Sequence, residues 1–193
     1  MDLWTRTGRG AVAGRFARLA RLPRADWGKA VSHGGLGVTI FAVSAMLAWK
    51  TEDIRVVPIG GSYALGAYEV TLVDVREVAG PNYQSTMAEM RVTRDGEDVV
   101  TLFPEKRIYP VAGMPTTEAA IDYGFLRDVY LVIGDPQENG GWAVRSYIEP
   151  FANWLWAGCM LMALGGLLSL TDRRYRVAAG ARRAPEVAGV PAE

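Results

Sequence analysis

Residues 30–49 read AVSHGGLGVTIFAVSAMLAW, twenty residues between Lys29 and Lys50 whose only ionisable side chain is His33. A helix rises about 1.5 Å per residue, so this run covers roughly 30 Å, the thickness of a bilayer's hydrocarbon core. A second run of twenty, FANWLWAGCMLMALGGLLSL at residues 151–170, carries no ionisable group except the thiol of Cys159. Aromatic side chains stand near the ends of both: Trp27 and Trp49 at the first, Trp154, Trp156 and Tyr175 at the second, as is usual at membrane–water boundaries. A chain of 193 residues rarely hides two helices that are apolar on every face, so the pair is read as two transmembrane α-helices.

Charge gives these spans a direction. The net charge is zero, yet residues 1–30 hold seven Arg and Lys against Asp2 and Asp26, residues 50–150 hold nine basic against sixteen acidic groups, and residues 171–193 hold five Arg against three acids. Basic ends beside apolar runs favour a membrane over a nucleic-acid partner, and the positive-inside rule puts them in the cytoplasm, with the acidic middle in the periplasm. The expected organisation is a basic cytoplasmic segment (1–28), a transmembrane helix (29–50), a periplasmic domain (51–149), a second transmembrane helix (150–171) and a cytoplasmic tail (172–193). The end of that tail, residues 178–193, is rich in Ala, Gly and Pro and is expected to be disordered. A single cysteine excludes an intrachain disulfide, and the arginine-rich start lacks the apolar stretch of a secretory signal.

The middle reads as strands. Tyr68, Val70 and Leu72 alternate with Glu69 and Thr71, and Val73 and Val75 then shift the alternation by one, which signals a bulge. Ala88, Met90 and Val92 alternate with Glu89, Arg91 and Thr93. The turn Arg94-Asp95-Gly96 and the run Val99–Phe103 complete a hairpin. Asp128–Ile133 and Trp142–Ile148 follow, the latter leading into the second span at Pro150. Six or seven short strands in meander order predict an antiparallel β-rich domain, a small barrel or sandwich. Met114–Gly124 breaks the pattern: Thr116, Thr117 and Glu118 fit the cap of a short helical turn over Ala119–Ile121, which would set Glu118 and Asp122 on one helical face.

Enzyme signatures are sparse. There is no Gly-rich phosphate loop and no nucleophile elbow, and the one histidine lies in an apolar span, away from the carboxylates of the middle domain. That histidine, His33, is the candidate site. An imidazole inside a membrane helix is costly unless it meets a partner, a cavity or a cofactor. Two readings stay open. His33 lies about one turn inside the boundary, where it would touch water and headgroups. Alternatively it is a ligand: Gly34, Gly35 and Gly37 bare the adjacent helix surface, which permits close approach of another helix or of a planar porphyrin whose iron His33 would bind axially. A second ligand would have to come from another chain, or from Met46, Met160 or Met162, although methionine in such runs usually fills space.

Residues Trp27-Gly28-Lys29-Ala30-Val31-Ser32-His33-Gly34-Gly35-Leu36-Gly37-Val38 resemble the start of the penultimate membrane span of the CcmF family, the haem-lyase subunit of bacterial cytochrome c maturation. Gly80-Pro81-Asn82-Tyr83, Pro104-Glu105-Lys106-Arg107, Met114–Asp122, Arg127–Tyr130, Trp142–Arg145, Ala163–Gly166 and Asp172–Tyr175 agree in order, so the resemblance runs over residues 20–176. It implies an inner-membrane protein whose family attaches haem, delivered by the haem chaperone CcmE, to the cysteines of apocytochrome c, together with CcmH. It also implies a membrane haem b held between two histidines on different helices, with His33 in the place of the more C-terminal one and Gly34, Gly35 and Gly37 beside it.

The other membrane histidine, two periplasmic histidines for the substrate haem and a tryptophan-rich segment belong to earlier parts of the family, and this chain has none of them. The expectation is therefore a C-terminal piece or one half of a split lyase, inactive without the N-terminal CcmF part. Glu105, Lys106, Arg107, Thr116, Thr117, Glu118 and Asp122 are expected to contact partners; the competing expectation is that they only fold the domain. The alternative for the whole chain is a cofactor-free membrane-anchored scaffold whose β domain binds assembly partners.

Overall fold

Alternating β-branched and polar residues build ten strands between two long apolar helices: α1 (Arg24–Trp49), β1 (Thr51–Val57), β2 (Ser62–Leu65), β3 (Tyr68–Ala79), β4 (Gln84–Arg94), β5 (Glu97–Leu102), β6 (Glu105–Ile108), β7 (Pro115–Glu118), β8 (Ala120–Asp122), β9 (Arg127–Pro136), β10 (Trp142–Pro150) and α2 (Ala152–Leu170). The computed structural model describes residues 22–111, 113–138 and 140–172. The basic segment up to residue 21, Tyr175 and the tail expected to be disordered lie outside the described residues. Two compact units result, one of Ile40–Leu155 and one of the described residues before and after it.

In the first unit the strands form two antiparallel sheets, one ordered β1-β10-β9-β8 and the other β2-β3-β4-β6-β7, with β5 also on β4. Inward positions at every second residue supply the core: Val70 and Leu72, Ala88, Met90 and Val92, Val129, Leu131 and Ile133, and Val144 are wholly buried. Each larger apolar side chain there contributes about 1.5–3 kcal/mol relative to exposure. Tyr63 on β2 reaches Ser146 on β10 through a 2.5 Å hydroxyl–hydroxyl hydrogen bond that ties the sheets together. The bulge expected after Leu72 is present: the β3–β4 register shifts between Leu72 and Asp74. The β4–β5 hairpin turns on Asp95 (φ 52°) and Gly96 (φ 84°), the paired positive φ of a type I′ turn. Along the far edge of β4, β5 and β6 lie end to end. Pro104, with no N–H of its own, interrupts them while its carbonyl accepts the Ala88 N–H at 3.0 Å.

The helical turn expected in Met114–Gly124 is not formed. β7 pairs with β6 and β8 pairs with β9, so one extended segment leaves one sheet and joins the other at Ala119. Glu118 and Asp122 therefore share no helical face. The capping signal is local and worth about 1 kcal/mol; it loses to ladder hydrogen bonds on two sheets and to the β preference of Thr116, Thr117 and Ile121. Ten strands form instead of six or seven because β2, β6, β7 and β8, at three or four residues each, are too short to show alternation.

β10 passes into α2 through Phe151, whose φ of 57° is a rare conformation for a bulky residue. A polar clamp holds this bend. Buried Asp128 accepts hydrogen bonds from the Gly124 N–H (3.0 Å) and the Asn153 amide (2.9 Å), and the same amide donates to the Gly124 carbonyl. The Phe151 N–H donates to the Leu126 carbonyl at 2.9 Å.

Candidate functional site

α1 and α2, of 26 and 19 residues, rise about 39 and 28 Å and are long and apolar enough to cross a membrane. Only 17% and 11% of their most apolar windows are buried, unlike the core helix of a globular protein. In the second unit the helices meet along a seam of small residues. A Cβ built on Gly35 would stand 2.6 Å from the Gly158 carbonyl oxygen and 2.7 Å from the Met162 nitrogen. One on Gly165 would stand 2.5 Å from the Gly28 oxygen and from the Ser32 nitrogen. Glycine is what lets the backbones come this close. The Ser32 hydroxyl donates to the Met162 carbonyl at 3.2 Å, and Asp172 accepts the Ala25 N–H at 3.0 Å, capping the first turn of α1.

This seam fixes which way His33 points. At about 100° per residue, Gly35 lies about 200° round the helix from His33, whereas Gly37 lies about 40° and Gly34 about 100° away. His33, Gly34 and Gly37 are exposed and Gly35 is buried; a Cβ on Gly34 or Gly37 would meet nothing within 4 Å. The three glycines expected to form one wall thus divide: Gly35 takes the close helix approach, and Gly34 and Gly37 leave open the face that carries the imidazole. The His33 Nδ1 lies 2.7 Å from the Lys29 carbonyl oxygen. A carbonyl only accepts, so Nδ1 bears the proton, which leaves Nε2 as the nitrogen that offers a lone pair in the neutral ring, on a residue exposed to the outside. That is the donor arrangement an axial iron ligand needs.

In the β unit, six of the seven expected contact residues come together on neighbouring strands. Glu105 stands opposite Glu118, Lys106 opposite Thr117 and Arg107 opposite Thr116; Asp122 lies apart on β8. Most of their charges are answered internally. Glu105 accepts from Arg107 at 2.9 Å and from the Ser85 hydroxyl at 2.8 Å. The Arg107 hydrogen bond holds the Glu105 carboxyl below its usual range. Arg107 also lies over the Tyr83 ring at 4.5 Å, Lys106 pairs with Asp135, and Asp122 with Arg127. Thr116 and Thr117 are exposed on β7, the edge strand of its sheet. Lys106 and Thr117 also line a groove of 460 Å³ with Val132, Gly134, Arg145 and Tyr147. Arg145 is exposed and makes no side-chain ion pair or hydrogen bond among the described residues. Sequence reasoning noted it only as part of Trp142–Arg145; an arginine on the outward phase of a strand was the available signal. Among the described residues, no three His, Cys, Asp or Glu side chains gather as a metal site.

Comparison with known proteins agrees with this architecture. Residues 48–150 match the family described as the CcmF C-terminal beta-sandwich. The chain is 60% identical over 192 residues to the cytochrome c-type biogenesis protein ccl1 of Rhodobacter capsulatus, covering 100% of this chain and 29% of that protein. It is 45% identical over 163 residues to CcmF of Escherichia coli, covering 84% and 25%. It is 38% identical over 183 residues to CycK of Rhizobium meliloti, covering 94% and 27%. The chain thus spans about a quarter of the length of these relatives. A solved structure, titled cytochrome c heme lyase CcmF, superposes with a TM-score of 0.63 at 19% identity over 77% of this chain and 25% of that one, which supports the fold. Two apolar helices flanking an antiparallel β sandwich, and the match over residues 48–150, place this chain in the CcmF/CycK family of cytochrome c-type biogenesis proteins.

Proposed function

We propose that this chain is the C-terminal membrane portion of a cytochrome c maturation haem lyase, with His33 as one axial ligand of a b-type haem shared with a histidine outside the chain. The observation that carries the reading is the Nε2 lone pair of His33 on a helix face left open by Gly34 and Gly37. The Lys29 carbonyl holds the ring in one tautomer, Gly34 and Gly37 make room for a flat ring system, and the Gly35 seam turns that face away from α2. When bound, the haem supplies one-electron redox chemistry that keeps incoming haem iron reduced. In this reading α1 and α2 are inner-membrane spans, both termini are cytoplasmic, and the domain at residues 51–149 is periplasmic.

The partners proposed are the N-terminal part of the lyase, which supplies the second ligand, together with CcmH, haem-loaded CcmE and apocytochrome c. Docking is assigned to the exposed edge of β7 and the adjoining groove, where Arg145 makes no side-chain ion pair or hydrogen bond among the described residues and an edge strand offers backbone groups for pairing. The test is spectroscopic. Co-expressed with the remainder of the lyase, the wild-type chain gives a reduced b-type absorbance band that disappears in His33→Ala. A full band in that variant removes the ligand and leaves the cofactor-free scaffold.

A further inference from the structure

The loop between β8 and β9 has a construction that its place in the fold does not require. Tyr123, Phe125 and Leu126 are 68%, 76% and 57% exposed, three large side chains offered to the outside in four residues. One N–H and three carbonyls of the loop's backbone, in contrast, are taken up from within. The Gly124 N–H goes to Asp128 and its carbonyl to Asn153. The Phe125 carbonyl accepts the Trp154 indole N–H at 2.8 Å, and the Leu126 carbonyl accepts the Phe151 N–H. Three of these four bonds come from residues at the start of α2. With apolar side chains outside and four of its backbone groups already bonded inside, the loop loses fewer hydrogen bonds to water on entering a medium that cannot hydrogen-bond.

Its neighbours are of the same kind. The Phe125 ring lies 5.4 Å from Trp154, which lies 5.3 Å from Phe151 and 5.9 Å from Phe41; Trp49 joins at 6.3 Å from Phe151. Tryptophan and other aromatics concentrate at the membrane–water boundary. The flanking charges cancel, since Arg127 pairs with Asp122 and Asp128 is buried.

We propose that Tyr123–Leu126 is a membrane-surface anchor whose Phe125 and Leu126 side chains enter the headgroup–acyl boundary of the bilayer. The occupant is lipid, and with no free cation in the loop it requires no anionic headgroup. The proposal rests on the reading of α2 as a membrane span, and the test separates the two. The full chain is placed in phosphatidylcholine bilayers carrying shallow or deep nitroxide lipids. A fluorophore is attached to native Cys159 in α2 or, in a Cys159→Ser background, to Phe125→Cys or Leu126→Cys. Glu97→Cys on exposed β5 in the same background serves as a reference. The Cys159 label should be quenched by deep nitroxides. The 125 and 126 labels should be quenched by shallow nitroxides at least about twofold more than the reference, equally with and without anionic lipid. If Cys159 is quenched while 125 and 126 match the reference, the anchor is wrong and the span stands. If Cys159 also escapes quenching, the span reading fails and the anchor falls with it. If the loop labels are shielded from nitroxide lipid and aqueous iodide alike in the assembly with the rest of the lyase, protein covers the loop and the proposal is overturned.

Discussion

Gly34→Ala and Gly35→Ala add the same methyl group to adjacent residues of one helix and should have opposite outcomes. At Gly35 the new carbon would lie 2.6 Å from the Gly158 oxygen, whereas ordinary contact begins at 3.4 Å, so the helices must part by 0.8 Å, the difference of the two. The obstructing atoms are backbone and cannot rotate away, so an overpacking cost of about 1–3 kcal/mol applies. Replacing glycine by alanine returns about 1 kcal/mol of helix propensity in both variants, and that gain cancels in the comparison. At Gly34 nothing lies within 4 Å, so only the gain remains. The variants should therefore differ by about 1–3 kcal/mol, with Gly34→Ala at or above wild type. Gly158→Ala meets the Gly35 oxygen at 2.7 Å, the same contact from the other side. Once the helices have parted, the second methyl costs less, so the double variant should be milder than the sum. The assay is SDS titration of the detergent-purified chain followed by tryptophan fluorescence. Equal destabilisation by Gly34→Ala and Gly35→Ala, or strict additivity in the double variant, would refute the seam.

Three further outcomes follow from the β unit. Burial pushes the Tyr63 hydroxyl from 10.0 up to about 12; the unfolded chain thus loses this proton first, and stability present below pH 10 should decline by about 2 kcal/mol as pH rises to 12. Urea titrations across that range should show a flatter decline in Tyr63→Phe. Asp128→Ala deprives the Gly124 N–H and the Asn153 amide of an acceptor and should cost about 2 kcal/mol, read as a lower thermal midpoint and faster amide exchange at Gly124; unchanged exchange would mean the clamp does not hold the loop. Arg145→Glu should leave the thermal midpoint within about 0.5 kcal/mol of wild type while reducing co-purification with the lyase partners, and undiminished recovery would remove the groove from the docking surface.

What could be read from the sequence was whatever repeats over many residues or forces the backbone at one point. The two apolar runs, the alternation in β3, β4, β9 and β10, the shift at Val73 and the Asp95-Gly96 turn are signals of that kind. β6, β7 and β8 were hidden because a strand of three or four residues is defined by its partner, and those partners lie up to 13 residues away for β6 with β7 (Glu105 to Glu118) and up to 24 for β6 with β4 (Gln84 to Ile108). The roll of α1 was within reach: Gly28, Ser32, Gly35 and Thr39 recur at helical spacing and match Gly158, Gly165 and Ser169 on α2, a pairing that separates Gly35 from Gly34 and Gly37. Tyr123-Gly124-Phe125-Leu126 gave a signal too, three large apolar residues in a turn, but its meaning depends on the hydrogen bonds to Phe151, Asn153 and Trp154.

The one-sidedness of the helix pair restricts who can complete the site. α2 packs against the face of α1 that carries Gly35, about 200° round the helix from His33, so the helix that bears Met160 and Met162 lies on the side away from the imidazole. In the proposed reading, the group that shares a metal with that nitrogen arrives from the open flank left by Gly34 and Gly37. The glycine seam would then act as a jig, settling the aim of the imidazole before the opposite wall of the socket is built.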